Sequence, residues 1–208
     1  MKRNLFIATL AALSLGALAS GAQAANIVDE WASVKQPAAP TLKPVTVDPK
    51  TTALLMLDFM KQNCAKRPRC VASLPAMKKL LNEARAAKVA VVYSIIANST
   101  PADVLPDVAP LATEPHVLAG PDKFLHTDLE KILKDKGIKT VITVGTSSNG
   151  AVFFTASGAA FRGMSVIVPV DGMTSLDPIS EYATALDFQT APGVSQKTTL
   201  TRSDMIKF

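Results

Sequence analysis

The stretch Val141–Ala156, VITVGTSSNGAVFFTA, constrains the fold more than any other part of the chain. Apolar and β-branched residues run into Gly145, small polar residues follow, and an apolar helical pattern resumes at Ala151. This order predicts a buried strand, a tight turn and the start of a helix. Such a turn exposes backbone N–H groups at a helix N-terminus, where the macrodipole favours negative charge. In an open α/β sheet the carboxyl end of a strand is where ligands bind. Gly145, Thr146, Ser147, Ser148, Asn149 and Gly150 are therefore candidate ligand contacts, with the turn as an anion or oxyanion cradle. Turn formation and helix capping are the alternative roles of Ser147, Ser148 and Asn149. Ala151, at the first helical turn, brings no reactive group.

The remaining chain supplies partners for that strand. ALLMLDF, from Ala53, is an apolar run too short for a helix and suits a strand buried on both faces. Leu74, Met77, Leu80, Leu81 and Ala84 keep helical spacing, with Pro75 near the start. Val89–Ile96 reads as the next strand, and the proline-rich 97–120 as a long loop over the ligand-binding edge. Thr127, with Glu130 three residues on, forms a capping box for a helix ended by Gly137. Lys139–Val144 and Met164–Pro169 read as strands, Ala151–Phe161 and Ser180–Phe188 as helices, and Thr198–Thr201 as an edge strand. Strand–helix alternation of this kind predicts a single α/β domain, residues 51–208: a three-layer sandwich with a parallel sheet and helices on both faces.

Before that domain the character changes. Lys2 and Arg3 precede an apolar run from Leu5 to Leu18, and Ala22-Gln23-Ala24 forms a small-residue cleavage site. Residues 1–24 therefore read as a secretory signal peptide, which places the protein in the periplasm or outside the cell, off the membrane after cleavage. Residues 25–50 hold four prolines in QPAAPTLKPVTVDP and read as an extended arm, with Trp31 as its anchor. Loss of Lys2 and Arg3 takes the formal charge from +5 to +3, too weak a balance to argue for nucleic acid.

The two cysteines, Cys64 and Cys70, bracket five residues in CAKRPRC. In an exported protein such a pair most simply closes a small disulfide loop. Lys66, Arg67 and Arg69 would also lower a thiol's pKa, so a reactive thiolate is one alternative and two free thiols the other.

The glycine turn looks like the nucleophile turn of the isochorismatase-like cysteine hydrolases, G-x-A-T-x-x-C-V-x-x-T-A. Gly145, Val152, Thr155 and Ala156 match in register, and Ala151 falls on the cysteine. TALLMLDFM resembles the family's first strand and puts Asp58 on its acid/base aspartate. Thr127–Gly145 resembles the helix and strand leading into the turn, so the similarity runs from about Thr51 to Asp171. The resemblance implies a Rossmann-like hydrolase fold and a cis peptide at Thr146–Ser147. It also implies a catalytic lysine upstream of Phe124, and self-association into dimers or larger rings. The family lysine lies several residues before that phenylalanine, whereas Lys123 adjoins it, so a loop shift is needed to bring Lys123 to Asp58.

What the resemblance implies chemically depends on Ala151, which cannot form an acyl-enzyme. A branch that protonates its substrate and adds water needs no nucleophile; a binder that has lost catalysis keeps only the pocket; an engineered inactivation would look the same. In that family a metal site uses Asp-x-His after the second strand, and Ala97-Asn98 offers neither ligand. His116 and His126, the only histidines, lack ligand spacing on one face, so neither metal nor cofactor is expected. His116, over the ligand edge, is a candidate substrate contact. The leading reading is an exported hydrolase of a small molecule, with Asp58 as acid/base and Lys123 as its charge partner.

Overall fold

The computed structural model describes residues 26–208; the expected signal peptide lies outside them. The chain divides at Ala38 into two units. In the first, Asn26 caps a four-residue helix, α1 (Ile27–Glu30), and Trp31, expected as an anchor, is 66% exposed. The second unit, Ala39–Phe208, takes in the rest of the expected arm. There β1 (Val45–Thr46) pairs in parallel with β9 (Ile206–Lys207).

The main sheet is built from β2 (Thr52–Leu57), β3 (Ala90–Ile95), β4 (His116–Leu118), β5 (Thr140–Thr146), β6 (Ser165–Pro169) and β8 (Thr198–Thr201). Their order is β4-β3-β2-β5-β6-β8, all parallel, with β7 (Met173–Thr174) pairing with the end of β5. Every residue of β2 is buried, which explains its unbroken apolar run. Successive side chains alternate between faces: Leu54 and Met56 join one core, and Ala53, Leu55 and Leu57 the other. The first core is closed by α2 (Pro68–Ala86). The second is closed by α3 (Leu129–Asp135), α4 (Phe153–Phe161) and α5 (Pro178–Thr190). This is the expected α/β sandwich with helices on both faces.

Three elements differ from expectation, each for a local reason. α2 starts at Pro68, a full turn earlier, because Cys70 and Ser73 extend its buried stripe backwards. Pro75 lies inside that helix on its exposed side, and Val71, whose carbonyl loses its usual i+4 donor to the proline, is exposed as well. α3 takes Asp128 as its N-cap rather than Thr127, whose Oγ1 accepts from the Leu129 N–H at 3.1 Å, and Glu130 pairs with Arg162, so no capping box forms. The 97–120 loop ends in β4, which extends the sheet beside β3.

From β2 the chain winds outward through β3 and β4, then returns to β5 and winds the other way. The switch point therefore falls between the carboxyl ends of β2 and β5, where an open parallel sheet forms its ligand crevice. Gly145 makes the close approach there possible. Its φ is +149°, and a methyl in its place would run into the carbonyl oxygen and Cβ of Leu57 on β2.

Candidate active site

A cleft of about 640 Å³ opens at this switch point. Asp58, Thr146, Ser147, Gly150 and Ala151 line it, with Leu118–Asp122 at the end of β4 and Asn63 and Arg67 from the cysteine loop. Asp58 follows β2 in the left-handed region, φ +56°, which turns the chain off the sheet at the crevice. Aspartate tolerates that conformation better than most residues, and such outliers gather at functional sites.

The Asp58 carboxylate is 5% exposed and fully engaged on one oxygen. Oδ1 accepts from Ser94 Oγ at 2.6 Å and from Lys123 Nζ at 2.9 Å. Oδ2 accepts only from Lys123 Nζ, at 2.7 Å, so its second lone pair is the open one. Lys123 is itself wholly buried, and its third N–H goes to the Gly120 carbonyl at 2.7 Å. Burial holds the Asp58 carboxyl above the usual carboxylate range, against the opposing pull of Lys123, Ser94 and the more distant Arg67. The loop around Lys123 is tied to its neighbours: the Lys123 N–H donates to Thr155 Oγ1 of α4 at 3.3 Å, and its carbonyl accepts from Thr127 Oγ1, two residues before α3.

The turn after β5 is small and tightly folded. Its Thr146–Ser147 peptide is cis, and residues 148–152 form a single π turn kinked at Gly150 before α4 begins. One amide expected to cradle an anion is committed elsewhere: the Gly150 N–H donates to the Ser147 carbonyl at 3.2 Å, as does the Val152 N–H at 3.1 Å. Ala151 is 4% exposed and presents its methyl to the cleft.

Several expected contacts lie elsewhere. Ser148 is buried against Thr184 of α5, 3.3 Å between hydroxyls, and Asn149 points to solvent; neither lines the cleft. Gly145 is enclosed by the sheet. His116 starts β4, the strand end away from the crevice, while His126 lines it instead. Cys64 and Cys70 are disulfide-bonded and fully buried, which removes the reactive-thiolate alternative. Among the described residues no cluster of three or more His, Cys, Asp or Glu could hold a metal ion, and no helix is long and apolar enough to cross a membrane.

Ser94, Asn63, Arg67 and Asp122 were not singled out as site residues from the sequence. Ser94 had a signal, as the lone polar residue in an otherwise apolar strand. Arg67 had none beyond its place between two cysteines.

The Isochorismatase domain model matches residues 52–198, most of the chain. The protein belongs to the isochorismatase family. No curated protein matches it. Among solved structures it is similar to an isochorismatase family protein from Desulfovibrio vulgaris, 17% identical over 74% of this chain and 95% of that one, with a TM-score of 0.68. It is also similar to a cysteine hydrolase from Pseudomonas syringae, 19% identical over 82% and 95%, TM-score 0.66. A third is an isochorismatase-like hydrolase from Alkaliphilus metalliredigens, 23% identical over 74% and 95%, TM-score 0.66. At these identities the likeness shows the fold, an isochorismatase-like α/β sandwich.

Proposed function

We propose that this family member is an exported hydrolase of a small molecule that works without a cysteine nucleophile, with Asp58 as its proton-transfer group. The observation that carries the reading is the buried Asp58–Lys123 pair, open only at Oδ2, beside a cleft that Ala151 lines at the position where the sequence resemblance puts the nucleophile. An alanine rules out acyl transfer at that position, whereas protonation followed by water addition needs no nucleophile. The bridged cysteine pair supports an oxidising compartment, periplasmic or extracellular.

For a vinyl ether the steps balance as follows. The Asp58 Oδ2 proton goes to the terminal alkene carbon, whose electron pair takes it and leaves an oxocarbenium ion. Water adds to the oxygen-bearing carbon and returns a proton to Asp58. The hemiketal then collapses to a carbonyl compound and an alcohol, with one C–O bond broken and one water consumed. Lys123 holds the carboxylate in place and stabilises it after it has given up its proton.

The test is a turnover screen of the mature protein against vinyl ethers, amides and ureides, followed by a pH–rate profile on the best substrate. Because Asp58 must carry its proton to act and its pKa lies above the usual range, the rate is expected to be highest at acidic pH. It then falls as pH rises through the Asp58 value. A limb that rises with pH assigns Asp58 as a base instead. Ligand-induced melting shifts with no turnover of any class would make the protein a binder, the reading that Ala151 also permits.

Ala151→Cys probes the turn separately. A thiol there lies at the entrance of α4, in the cleft that Arg67 also lines, so its pKa is expected below the ordinary 8.5 or so. Rapid alkylation by iodoacetamide at neutral pH is the expected result; an inert thiol means the turn does not present that position to the cleft.

A further inference from the structure

Two cations serve this region, Arg67 on the cleft wall and Lys123 buried against Asp58, and only Lys123 has all its donors committed. Lys123 gives all three N–H bonds to Asp58 and Gly120, leaving nothing for a ligand. Arg67 is different. Among the described residues, a single one of its five side-chain N–H bonds is used, from Nη1 to Thr146 Oγ1 at 2.6 Å, and Arg67 makes no ion pair. Asp122, the other acid on the cleft wall, accepts from the Phe124 N–H and does not pair with it. A half-buried guanidinium with most of its donors open, on the wall of a cleft where two of the turn's amides already donate to Ser147, is suited to receive an anion.

The loop that carries Arg67 is also the one part of the wall that is covalently closed. Cys64 and Cys70 are bridged across it with both sulfurs in the core, and Cα atoms 5.2 Å apart. Between them the chain makes one tight turn, Cys64–Lys66, and Arg67 follows as the N-cap of α2, its own N–H bonded to the Cys64 carbonyl at 2.9 Å. The backbone of Arg67 is thereby fixed from both sides, and Thr146 at the end of β5 fixes the side chain.

We propose that this bridged loop is the specificity element of the cleft, holding Arg67 as the receptor for a carboxylate group on the substrate. The planar guanidinium fork matches a carboxylate's two oxygens, and prior immobilisation lowers the ordering cost of binding. The inference rests on the reading of this cleft as the substrate site and does not require turnover.

Calorimetric titration of the purified protein with benzoate, benzamide and inorganic phosphate tests it. Benzoate is expected to bind saturably, and benzamide and phosphate at least about tenfold more weakly. Arg67→Gln should lose about 10- to 100-fold in benzoate affinity and leave benzamide unchanged. Arg67→Lys should recover only part, because an ammonium lacks the fork. Equal benzoate affinity in Arg67→Gln, or no benzoate binding to the wild type, overturns the proposal; phosphate binding as tightly as benzoate overturns the carboxylate assignment. A Cys64→Ala/Cys70→Ala variant shown to be folded by circular dichroism should fall towards the affinity of Arg67→Gln. Wild-type protein reduced by dithiothreitol gives the same reading if that variant does not fold, and full affinity in either overturns the positioning role of the bridge. With a substrate in hand, Arg67→Gln should raise KM more than it lowers kcat. Loss of the hydrolase reading would show as absent turnover with benzoate binding intact, so the two failures are distinguishable.

Discussion

Asp58→Asn is expected to lower kcat by about 10²–10⁴-fold, the usual contribution of a positioned proton donor. The amide keeps the shape of the carboxyl and one acceptor oxygen for Ser94 or Lys123, so the fold should survive, as circular dichroism can check. It cannot cycle a proton between substrate and water at Oδ2. Because the loss is confined to the transition state, KM should change little while kcat collapses. A variant that turns over substrate within a few-fold of wild type means that the proton comes from elsewhere, and the acid role of Asp58 falls with it.

Lys123→Met should produce the largest loss of stability of any conservative replacement in the cleft, about 3–5 kcal/mol, since it strands a buried carboxylate. The methionine fills nearly the same volume, so the deficit reports charge rather than a cavity. Lys123 is the main influence opposing burial at Asp58, and its removal lets the Asp58 pKa rise further. The sign follows by linkage. A carboxyl whose folded pKa exceeds its unfolded value, near 3.9, favours the folded state below that value and loses this advantage as pH rises through the folded pKa. The melting-temperature deficit of Lys123→Met should therefore be smaller at pH 5 than at pH 8. Combining it with Asp58→Asn should restore much of the lost stability without restoring activity, because the stranded charge is gone. Equal deficits at both pH values would show that Asp58 does not carry the charge in question.

These effects converge on two residues 65 positions apart, and their union shows where linear reading runs out. The strands around Asp58 and Gly145 were legible because parallel strands buried on both faces are written as unbroken apolar runs. α2 was less so: its first turn lies among Lys66, Arg67 and Arg69, and only the burial of Cys70 and Ser73 shows that its stripe begins there. The glycine turn was legible as a turn, yet not the direction of its amides. A π turn aims the Gly150 and Val152 N–H groups at Ser147, and no spacing rule distinguishes that from an open cradle.

The sequence by itself determined the strand–helix alternation, the parallel sheet, the Asp58 strand end and the absence of a thiol at Ala151, since each is encoded in local composition or period. Only the tertiary structure decided that Lys123 closes on Asp58, that Ser94 supports it, that His126 rather than His116 faces the cleft, and that Arg67 stands open in a bridged loop. Those are contacts between segments brought together at the switch point of the sheet. Their geometry depends on how loops of differing length cross that edge, which local propensities do not encode.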